Sequence, residues 1–417
     1  MRKLFAVVLI PLVFAAGCGG GGGGGSSSGG TTPPPPTSSI ATAGPPNVES
    51  VVIDAGPAQL STPAINTPYV TVHVCVPGTA TCQTIDHIEI DTGSVGLRLI
   101  SSGVTVALPA ETDSSNNLLA ECLLFADNTA SYGALAVADV VLPISGEKAS
   151  SVNVQLIGAS SAGTPPSSSC TGTQDNTVDT FGANGILGVG PFITDCNAGT
   201  CAAGTSPTLY YSCPTSSSCT ETSVSDAQQL QNPVSLFAKD NNGVIVELPS
   251  ISSSGADSPS GGVIVFGIGT ESNNALGSAT QLTADPNSGD LSAMLNGTSY
   301  PESYIDSGSN ANFFNDSSLT ACPSPNQGFY CPTSTTAEMA TLSGTNGNTL
   351  AATFNVANAD TLFQNTTYTA FNDIGAAAFS TQASSLDLGL PYFFGENIYL
   401  AFETATNTAP YFAVTAN

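Results

Sequence analysis

The chain is short of positive charge, of histidine and of tryptophan. Its 417 residues hold 5 Lys and Arg against 31 Asp and Glu, with 2 His and no Trp. Nucleic acids are bound largely through cations that contact phosphate, so this composition excludes a nucleic-acid partner. His73 and His87 are too few to assemble a usual metal site, and we expect neither a metal nor a cofactor. No Gly-x-Ser-x-Gly stretch is present, which argues against a serine hydrolase.

Long hydrophobic runs are also missing beyond the first residues, and no later segment is long enough to span a bilayer. At the start of the chain, Arg2 and Lys3 precede an apolar run over residues 4–14. A positive start and a short apolar run are typical of an export signal, and the run is short for a spanning helix. We therefore predict a signal peptide over residues 1–17.

Cys18 follows this segment directly. The stretch Ala15-Ala16-Gly17-Cys18 resembles the lipobox of bacterial lipoproteins, in which the cysteine is lipidated and becomes the new N-terminus. An ordinary secretory signal with a chance cysteine is the alternative. Residues 18–46 are rich in Gly, Ser and Pro and carry no charge, which is typical of a flexible tether. We predict an exported bacterial lipoprotein, anchored to the membrane by its lipid alone, at the cell surface or in the periplasm.

The ten cysteines beyond Cys18 are an even number, which favours disulfides in an oxidising compartment. Four pairs are close in sequence, and the two remaining cysteines would form a longer-range pair. The predicted pairs are Cys75 with Cys82, Cys196 with Cys201, Cys213 with Cys219, Cys322 with Cys331, and Cys122 with Cys170. The alternative is a zinc site formed by the four cysteines between 196 and 219, although their spacing is wider than that of usual zinc ligands.

Short runs of Val, Ile and Tyr bounded by turn residues predict an all-β protein. The clearest strand candidates cover residues 69–74, 135–142, 152–157, 244–248, 263–266 and 398–402. Helix candidates are few and cover residues 226–230, 233–240 and 335–342. We place an N-terminal lobe at 47–255 and a C-terminal lobe at 256–417, because residues 252–262 have the composition of a linker.

The shortage of cations leaves most carboxylates without an oppositely charged partner. We expect their mutual repulsion to raise carboxylate pKa values in the folded state, so that the protein tolerates mild acid.

Two similar motifs stand at comparable positions in the two predicted lobes. Asp91-Thr92-Gly93-Ser94 and Asp306-Ser307-Gly308-Ser309 each follow a short strand-like segment. Each is followed, 97 and 83 residues after its aspartate, by an apolar stretch that contains Gly188 or Gly389. Two copies with their glycine partners in the same order indicate a duplicated lobe that brings two carboxylates together.

These motifs resemble those of pepsin-like aspartic proteases over roughly residues 47–417. The resemblance implies a bilobal fold of two homologous β-rich lobes with the active-site cleft between them, and an aspartic endopeptidase acting on polypeptides. Asp91 and Asp306 would then be the catalytic pair that activates a water. Thr92, Gly93, Ser94, Ser307, Gly308, Ser309, Gly188 and Gly389 would support the catalytic loops. We expect a monomer.

Members of that family cover the cleft with a hairpin that carries a tyrosine, and Tyr132-Gly133 is the candidate here. A plain core tyrosine is the alternative, because the glycine-rich stretch that usually follows and the supporting tryptophan are both missing. Residues 95–98 stand where that tryptophan is expected, and Arg98 is either a buried partner for a carboxylate or a surface residue. With the predicted tether, these departures resemble a bacterial group of uncharacterised exported proteins with aspartic-protease-like lobes.

A second hypothesis is therefore a surface lipoprotein that binds a peptide or glycan in the same cleft without catalysis. Two further acid and base candidates have simpler interpretations. Asp54-Ala55-Gly56 imitates the catalytic tripeptide but has no paired copy, and it is predicted to end a strand. His87, on the segment that leads to Asp91, is predicted to be a packed or surface residue of a strand.

Overall fold

The computed structural model describes residues 40–166, 169–196, 208–403 and 409–416. This part of the chain is all-β, as the sequence predicts. It contains twenty-three strands in three sheets and two α-helices of four residues, α1 (Val178–Phe181) and α2 (Ala359–Leu362).

The largest sheet is built from the first half of the chain and contains ten strands. Its strands are β2 (Tyr69–Cys75), β3 (Cys82–Asp91), β4 (Val95–Ile100), β5 (Leu118–Leu124), β6 (Thr129–Val141), β7 (Lys148–Ile157), β8 (Thr173–Gln174), β9 (Gly185–Val189), β10 (Thr208–Cys213) and β11 (Thr220–Glu221). Six of them form a closed ring in the order β6-β2-β3-β9-β4-β7, because β7 pairs with both β4 and β6.

A seven-stranded sheet comes from the second half of the chain, in the order β19-β18-β15-β16-β21-β17-β20. Its strands are β15 (Leu291–Leu295), β16 (Thr298–Ile305), β17 (Asn312–Phe313), β18 (Thr336–Ser343), β19 (Thr349–Val356), β20 (Gly375–Ala376) and β21 (Asp387–Leu388). Here β16 and β21 are parallel, β21 and β17 antiparallel, and β17 and β20 parallel. Strands β3, β9, β4 and β7 repeat this pattern in the same chain order.

The remaining six-stranded sheet combines strands from both halves of the chain, in the order β1-β13-β12-β22-β23-β14. Its strands are β1 (Val48–Val51), β12 (Gly243–Glu247), β13 (Gly262–Phe266), β14 (Leu282–Thr283), β22 (Glu396–Ala401) and β23 (Tyr411–Ala416). The largest buried apolar cluster has members in all three sheets, among them Ile90, Val246 and Ile305. Burial of these aliphatic side chains is the main stabilising contribution that joins the sheets.

All six strand candidates lie at observed strands, whereas the three helix candidates are wrong. Residues 335–342 belong to β18, which pairs with β15 and β19. The other two candidates contain only short 3₁₀ helices, Asp226–Gln228 and Pro233–Leu236. No described helix is long and apolar enough to cross a membrane.

Four of the five predicted disulfides are confirmed. They join Cys75 to Cys82, Cys122 to Cys170, Cys213 to Cys219, and Cys322 to Cys331. Cys196 is also disulfide-bonded, and Cys201, its predicted partner, lies outside the described residues. The alternative zinc site is wrong, because disulfide sulfurs are not the thiolates that zinc binds. The predicted signal peptide, Cys18 and most of the tether also lie outside the described residues.

Candidate active site

The two aspartates of the repeated motif stand at the ends of corresponding strands. Asp91 ends β3, Asp306 follows β16, and both side chains are fully buried. The backbone N–H two residues further on donates to each carboxyl, from Gly93 to Asp91 Oδ1 at 2.7 Å and from Gly308 to Asp306 Oδ1 at 2.9 Å. These bonds fix both carboxyl groups against their own loops.

A serine supports each carboxyl from the other side. Ser94 Oγ donates to Asp91 Oδ2 at 2.8 Å, and Ser309 Oγ lies 3.1 Å from Asp306 Oδ2. Both serines therefore support their aspartate loops, as the resemblance implied.

The loops are locked to each other by the two hydroxyl residues at the second motif position. Thr92 Oγ1 donates to Ile305 O at 3.2 Å and accepts from Ser307 N at 2.9 Å. Ser307 Oγ donates to Ile90 O at 2.8 Å and accepts from Thr92 N at 3.1 Å. Four buried hydrogen bonds therefore join the two strand ends in a symmetric arrangement, which holds the aspartates opposite each other.

The glycines of the motif let the opposing carboxyl approach. A Cβ atom on Gly93 would lie 2.8 Å from Asp306 Cγ, and one on Gly308 would lie 2.7 Å from Asp91 Cγ. Such distances are too short for a side chain, so each carboxyl occupies the space that glycine leaves open in the other loop. The two carboxyl groups are therefore close neighbours across the two loops.

Burial and this neighbour change the acidity of the site. Burial, followed by the negative charge of Asp306, raises the pKa of Asp91 well above its usual range. Two carboxyls at this separation cannot both ionise easily, so the pair retains a proton at a pH where an isolated aspartate would lose it.

The two glycine-containing stretches lie against these loops, as the sequence predicted. Gly188 on β9 is in register with Asp91, and its Cβ would lie 2.6 Å from Val95 N. In the second half, Asp306 N donates to Leu388 O at 2.9 Å, and a Cβ on Gly389 would lie 2.2 Å from Ala311 O. Both glycines thus let their stretch of chain pass directly over the adjacent aspartate loop.

Asp387 adds a third carboxyl that the sequence analysis missed. Its Oδ2 accepts from Ser309 Oγ at 2.6 Å, while the same hydroxyl is 3.1 Å from Asp306. A hydroxyl has a single proton, so Ser309 cannot donate fully to both carboxyls. The sequence signal that could have revealed Asp387 is that it is the one charged residue in the otherwise apolar stretch leading to Gly389.

A family model described as "Protein of unknown function (DUF3443)" matches residues 43–414. The chain belongs to this family. The matched span includes both aspartate loops and both glycine-containing strands. No curated protein matches the chain.

The candidate flap of this DUF3443 protein requires correction. Tyr132 is buried in an apolar cluster, where its hydroxyl donates to Ala162 O at 3.0 Å and its ring packs against Tyr211. Gly133 lies inside the sheet, and its Cβ would be 2.0 Å from Leu156 O. The pair therefore belongs to the core, which was the alternative interpretation. The tip of the β5–β6 hairpin instead contacts the second half of the chain, where Thr381 Oγ1 donates to Ala126 O at 2.7 Å.

Arg98 is the buried partner of carboxylates rather than a surface residue. It donates to Glu121 Oε1 at 2.6 Å and lies 3.4 Å from Asp195 Oδ2, with all three side chains almost fully buried. Tyr210 donates to the other oxygen of Asp195 at 2.8 Å. The DUF3443 chain thus has an ion cluster where the resemblance led us to expect a tryptophan.

The remaining candidates have structural roles. Asp54 Oδ1 accepts from Gly56 N at 2.8 Å, and His87 Nε2 lies 3.4 Å from Asp54 Oδ2. Among the described residues, one group could be compact enough for a metal ion, namely Cys322, Cys331 and Asp360. The two cysteines are joined in a disulfide, so this group provides no thiolate ligand.

Proposed function

We propose that this DUF3443 protein is an exported aspartic endopeptidase with a bilobal pepsin-like fold. The observation that carries the proposal is the interlocked pair of loops, in which Thr92 and Ser307 hold two buried carboxyls face to face. The repeated strand order around Asp91 and Asp306 supports two homologous lobes with the catalytic pair between them.

In this proposal the carboxyl pair shares one proton and holds a water between its oxygens. The ionised carboxyl acts as general base and removes a proton from the water as it attacks the scissile carbonyl carbon. The protonated carboxyl donates to the carbonyl oxygen. Since the pair titrates as a unit, base and acid are not assigned to individual residues. The raised pKa of Asp91 supports a shared proton in mild acid.

The disulfides are consistent with an extracellular or periplasmic location. The finer proposal, a lipid on Cys18 and a tether over residues 18–46, concerns residues outside those that the structure describes. It predicts a polypeptide substrate that is reached from the membrane surface, with no cofactor.

The test is proteolysis of an unfolded protein substrate between pH 3 and pH 7 by the full-length chain. We expect Asp91→Asn and Asp306→Asn each to reduce the rate by at least about a thousandfold, because each removes one half of the acid–base pair. Asp54→Asn is the matched control, since Asp54 also precedes a glycine turn but has no paired carboxyl. Equal activity of all three variants would refute the proposed dyad.

A cleft that binds without catalysis is the second candidate. It is favoured by the burial of Tyr132, because the hairpin of this chain does not present that tyrosine as aspartic proteases do. An intact substrate at every pH, together with a folded wild-type protein, would support binding alone.

A further inference from the structure

The carboxyl of Asp387 lies beside the second aspartate loop and is fully buried. Its strand, β21, pairs with β16 and is fixed to the loop at two points. Asp306 N donates to Leu388 O at 2.9 Å, and Leu390 N donates to Ser309 O at 2.7 Å. These backbone bonds hold the Asp387 side chain where it meets the Ser309 hydroxyl.

Ser309 stands between two carboxyls and has one proton to donate. Its Oγ is 2.6 Å from Asp387 Oδ2 and 3.1 Å from Asp306 Oδ2. A separation of about 2.5–2.7 Å is typical of a hydroxyl that donates to an ionised carboxylate, and 3.1 Å is long for such a bond. The hydroxyl therefore donates to Asp387, and its bond with Asp306 is complete only when Asp306 supplies the proton.

The corresponding position in the first half of the chain carries no carboxyl. Ile186 stands there, two residues before the glycine of its stretch, and it pairs with the strand that leads to Asp91 as Asp387 pairs with the strand that leads to Asp306. Ser94 Oγ donates to Asp91 Oδ2 at 2.8 Å. Since an isoleucine can occupy this position, the fold itself does not require the carboxyl of Asp387.

The ionisable groups that face Asp387 from the adjacent strands are acidic or neutral. Tyr304 is in register with it on β16, and Glu302 lies two residues earlier on the same face. Strand β17, on the other side, has the sequence Asn-Phe and no ionisable group. Beyond the bridging hydroxyl is the carboxyl pair itself, where Glu89 adds its charge to that around Asp91. A negative charge on Asp387 makes the loss of a proton from the neighbouring pair less favourable.

We propose that Asp387 is a positioning residue that accepts the hydrogen bond of Ser309 and thereby helps the carboxyl pair to keep its shared proton. Its role in catalysis rests on the proposed function. Two effects act in the same direction. Asp387 withholds a hydrogen bond that would stabilise ionised Asp306, and its charge disfavours a second negative charge nearby. The pair then stays singly protonated up to a higher pH than it would with an apolar residue at this position.

The test follows the carboxyl pair without any substrate. The full-length chain is labelled with carbon-13 at the aspartate Cγ atoms, and the carboxyl chemical shifts are recorded between pH 3 and pH 10. Asp91→Asn and Asp306→Asn assign the signals of the pair. In Asp387→Asn the new amide can donate to Ser309 Oγ, which turns the hydroxyl towards Asp306. We expect the pair to lose its shared proton at a pH at least about one unit lower than in the wild type.

An unchanged titration in a folded Asp387→Asn variant, or a shift to higher pH, would overturn the inference. Glu247→Gln is the matched control, because Glu247 is a buried carboxyl of another sheet and accepts from Ala41 N at 2.6 Å. This substitution should move the titration of the pair by less than about 0.3 unit.

Two serine variants test the assignment even if Asp387→Asn unfolds the chain. Ser94→Ala removes a donor from Asp91, so the pair should keep its proton to a pH at least about one unit higher. Ser309→Ala should produce less than about half of this upward shift, because its hydroxyl donates to Asp387. Equal upward shifts in the two variants would contradict the inference.

Proteolysis at several pH values separates this inference from the proposed function. If the wild type and Asp387→Asn cleave with the same pH dependence and titrate alike, the inference fails and the protease proposal stands. If Asp387→Asn shifts the titration and neither chain cleaves a substrate, the assignment of Asp387 stands and catalysis fails.

Discussion

At the scale of single residues, the site depends on two glycines whose lack of a side chain makes room for the carboxyls. Gly93 and Gly308 carry no side chain, and each leaves room for the carboxyl of the opposite loop. The arrangement is not fully symmetric, since Ser309 contacts both Asp306 and Asp387, whereas Ser94 bonds Asp91. The second aspartate loop thus has an additional carboxyl beside it, that of Asp387 on β21.

The contact between Gly308 and Asp91 gives the first stability prediction. Gly308→Ala would place a methyl group 2.7 Å from Asp91 Cγ, so a loop must move. We expect the free energy of unfolding to fall by about 1–3 kcal/mol, the usual cost of overpacking a buried site. Chemical denaturation followed by circular dichroism measures this change.

Gly103→Ala is the control for this substitution. Gly103 ends a short 3₁₀ helix, and its added Cβ would meet no atom within 4 Å. Its substitution should change the free energy of unfolding by less than about 0.5 kcal/mol. Equal effects of the two alanines would show that the loops do not hold the carboxyls as close as described.

At the scale of secondary-structure elements, Arg98 joins parts of the first half that are distant in sequence. It lies on β4, its partner Glu121 lies on β5, and Asp195 belongs to the segment that precedes β10. Burial is the main cause that raises the pKa of Asp195, followed by the charge of Glu121. The single guanidinium therefore neutralises only part of a cluster of two carboxyls.

Removing this guanidinium should be costly. Arg98→Met would leave buried carboxyls without a cation, and we expect the free energy of unfolding to fall by about 3–5 kcal/mol. Lys239→Met removes an exposed partner of Glu271, and solvent screening of this pair should make its effect on the free energy of unfolding much smaller. Urea unfolding of both variants gives the comparison. A loss no larger for Arg98→Met than for Lys239→Met would mean that the buried pair contributes little.

Most strands and the two aspartate loops could be predicted from the sequence, because β-branched runs and the repeated tripeptide are local signals. Strand β18 could not. Its sequence is rich in helix-forming residues such as Ala, Met, Leu and Glu, yet Met339 is 64% exposed and Glu338 is buried. Pairing with β15 and β19 decides its structure, and this pairing is not visible in local composition.

The burial of Tyr132 also could not be predicted from the local sequence. The hairpin exists, but its register pairs Tyr132 with Cys122, next to the disulfide to Cys170. The side chain then packs with Tyr211 of β10, a strand that pairs with β5 near the edge of the same sheet. Which face a tyrosine occupies depends on the register, and the sequence motif alone does not determine it.

At the scale of the whole molecule, the two halves of the chain are in contact beyond the two aspartate loops. Asn66, from the first half, donates through Nδ2 to Asn310 O and Phe371 O, and its Oδ1 accepts from Phe371 N at 2.7 Å. Its backbone N–H donates to Thr369 O at 2.8 Å. One residue thus makes four hydrogen bonds between the two halves of the chain, which helps to hold them together.

The cause that the sequence analysis predicted for the raised carboxylate pKa values requires a correction. Repulsion between carboxylates was expected to raise their pKa values. For Glu49, Glu247, Asp373 and Glu396 the pKa is indeed raised, but burial is the first cause of each shift. The charged form is therefore disfavoured mainly because these groups are removed from water.

Glu147 is the clearest case for a pH-dependent stability. Burial, followed by a hydrogen bond with Asp240, raises the pKa of Glu147 to about 7. Between its ordinary value of 4.5 and about 7, the folded state binds a proton that the unfolded state does not. The free energy of unfolding should therefore rise as the pH falls through this window, and this gain should be lost as the pH rises back through it to the folded pKa.

Because Glu147 is partly exposed, we expect a gain of only roughly 1–2 kcal/mol between pH 8 and pH 5. Denaturant unfolding at several pH values measures it. Glu147→Gln should flatten this dependence, because glutamine cannot take up the proton, whereas Glu221→Gln on the exposed β11 should keep the wild-type slope.

Well below pH 4.5 the free energy of unfolding should fall with falling pH. Hydrogen bonds, first from Ser212, lower the pKa of Asp113 to about 2, and their contribution is lost in strong acid. A free energy of unfolding that decreases steadily from pH 7 to pH 5 would contradict this account of the buried carboxyls.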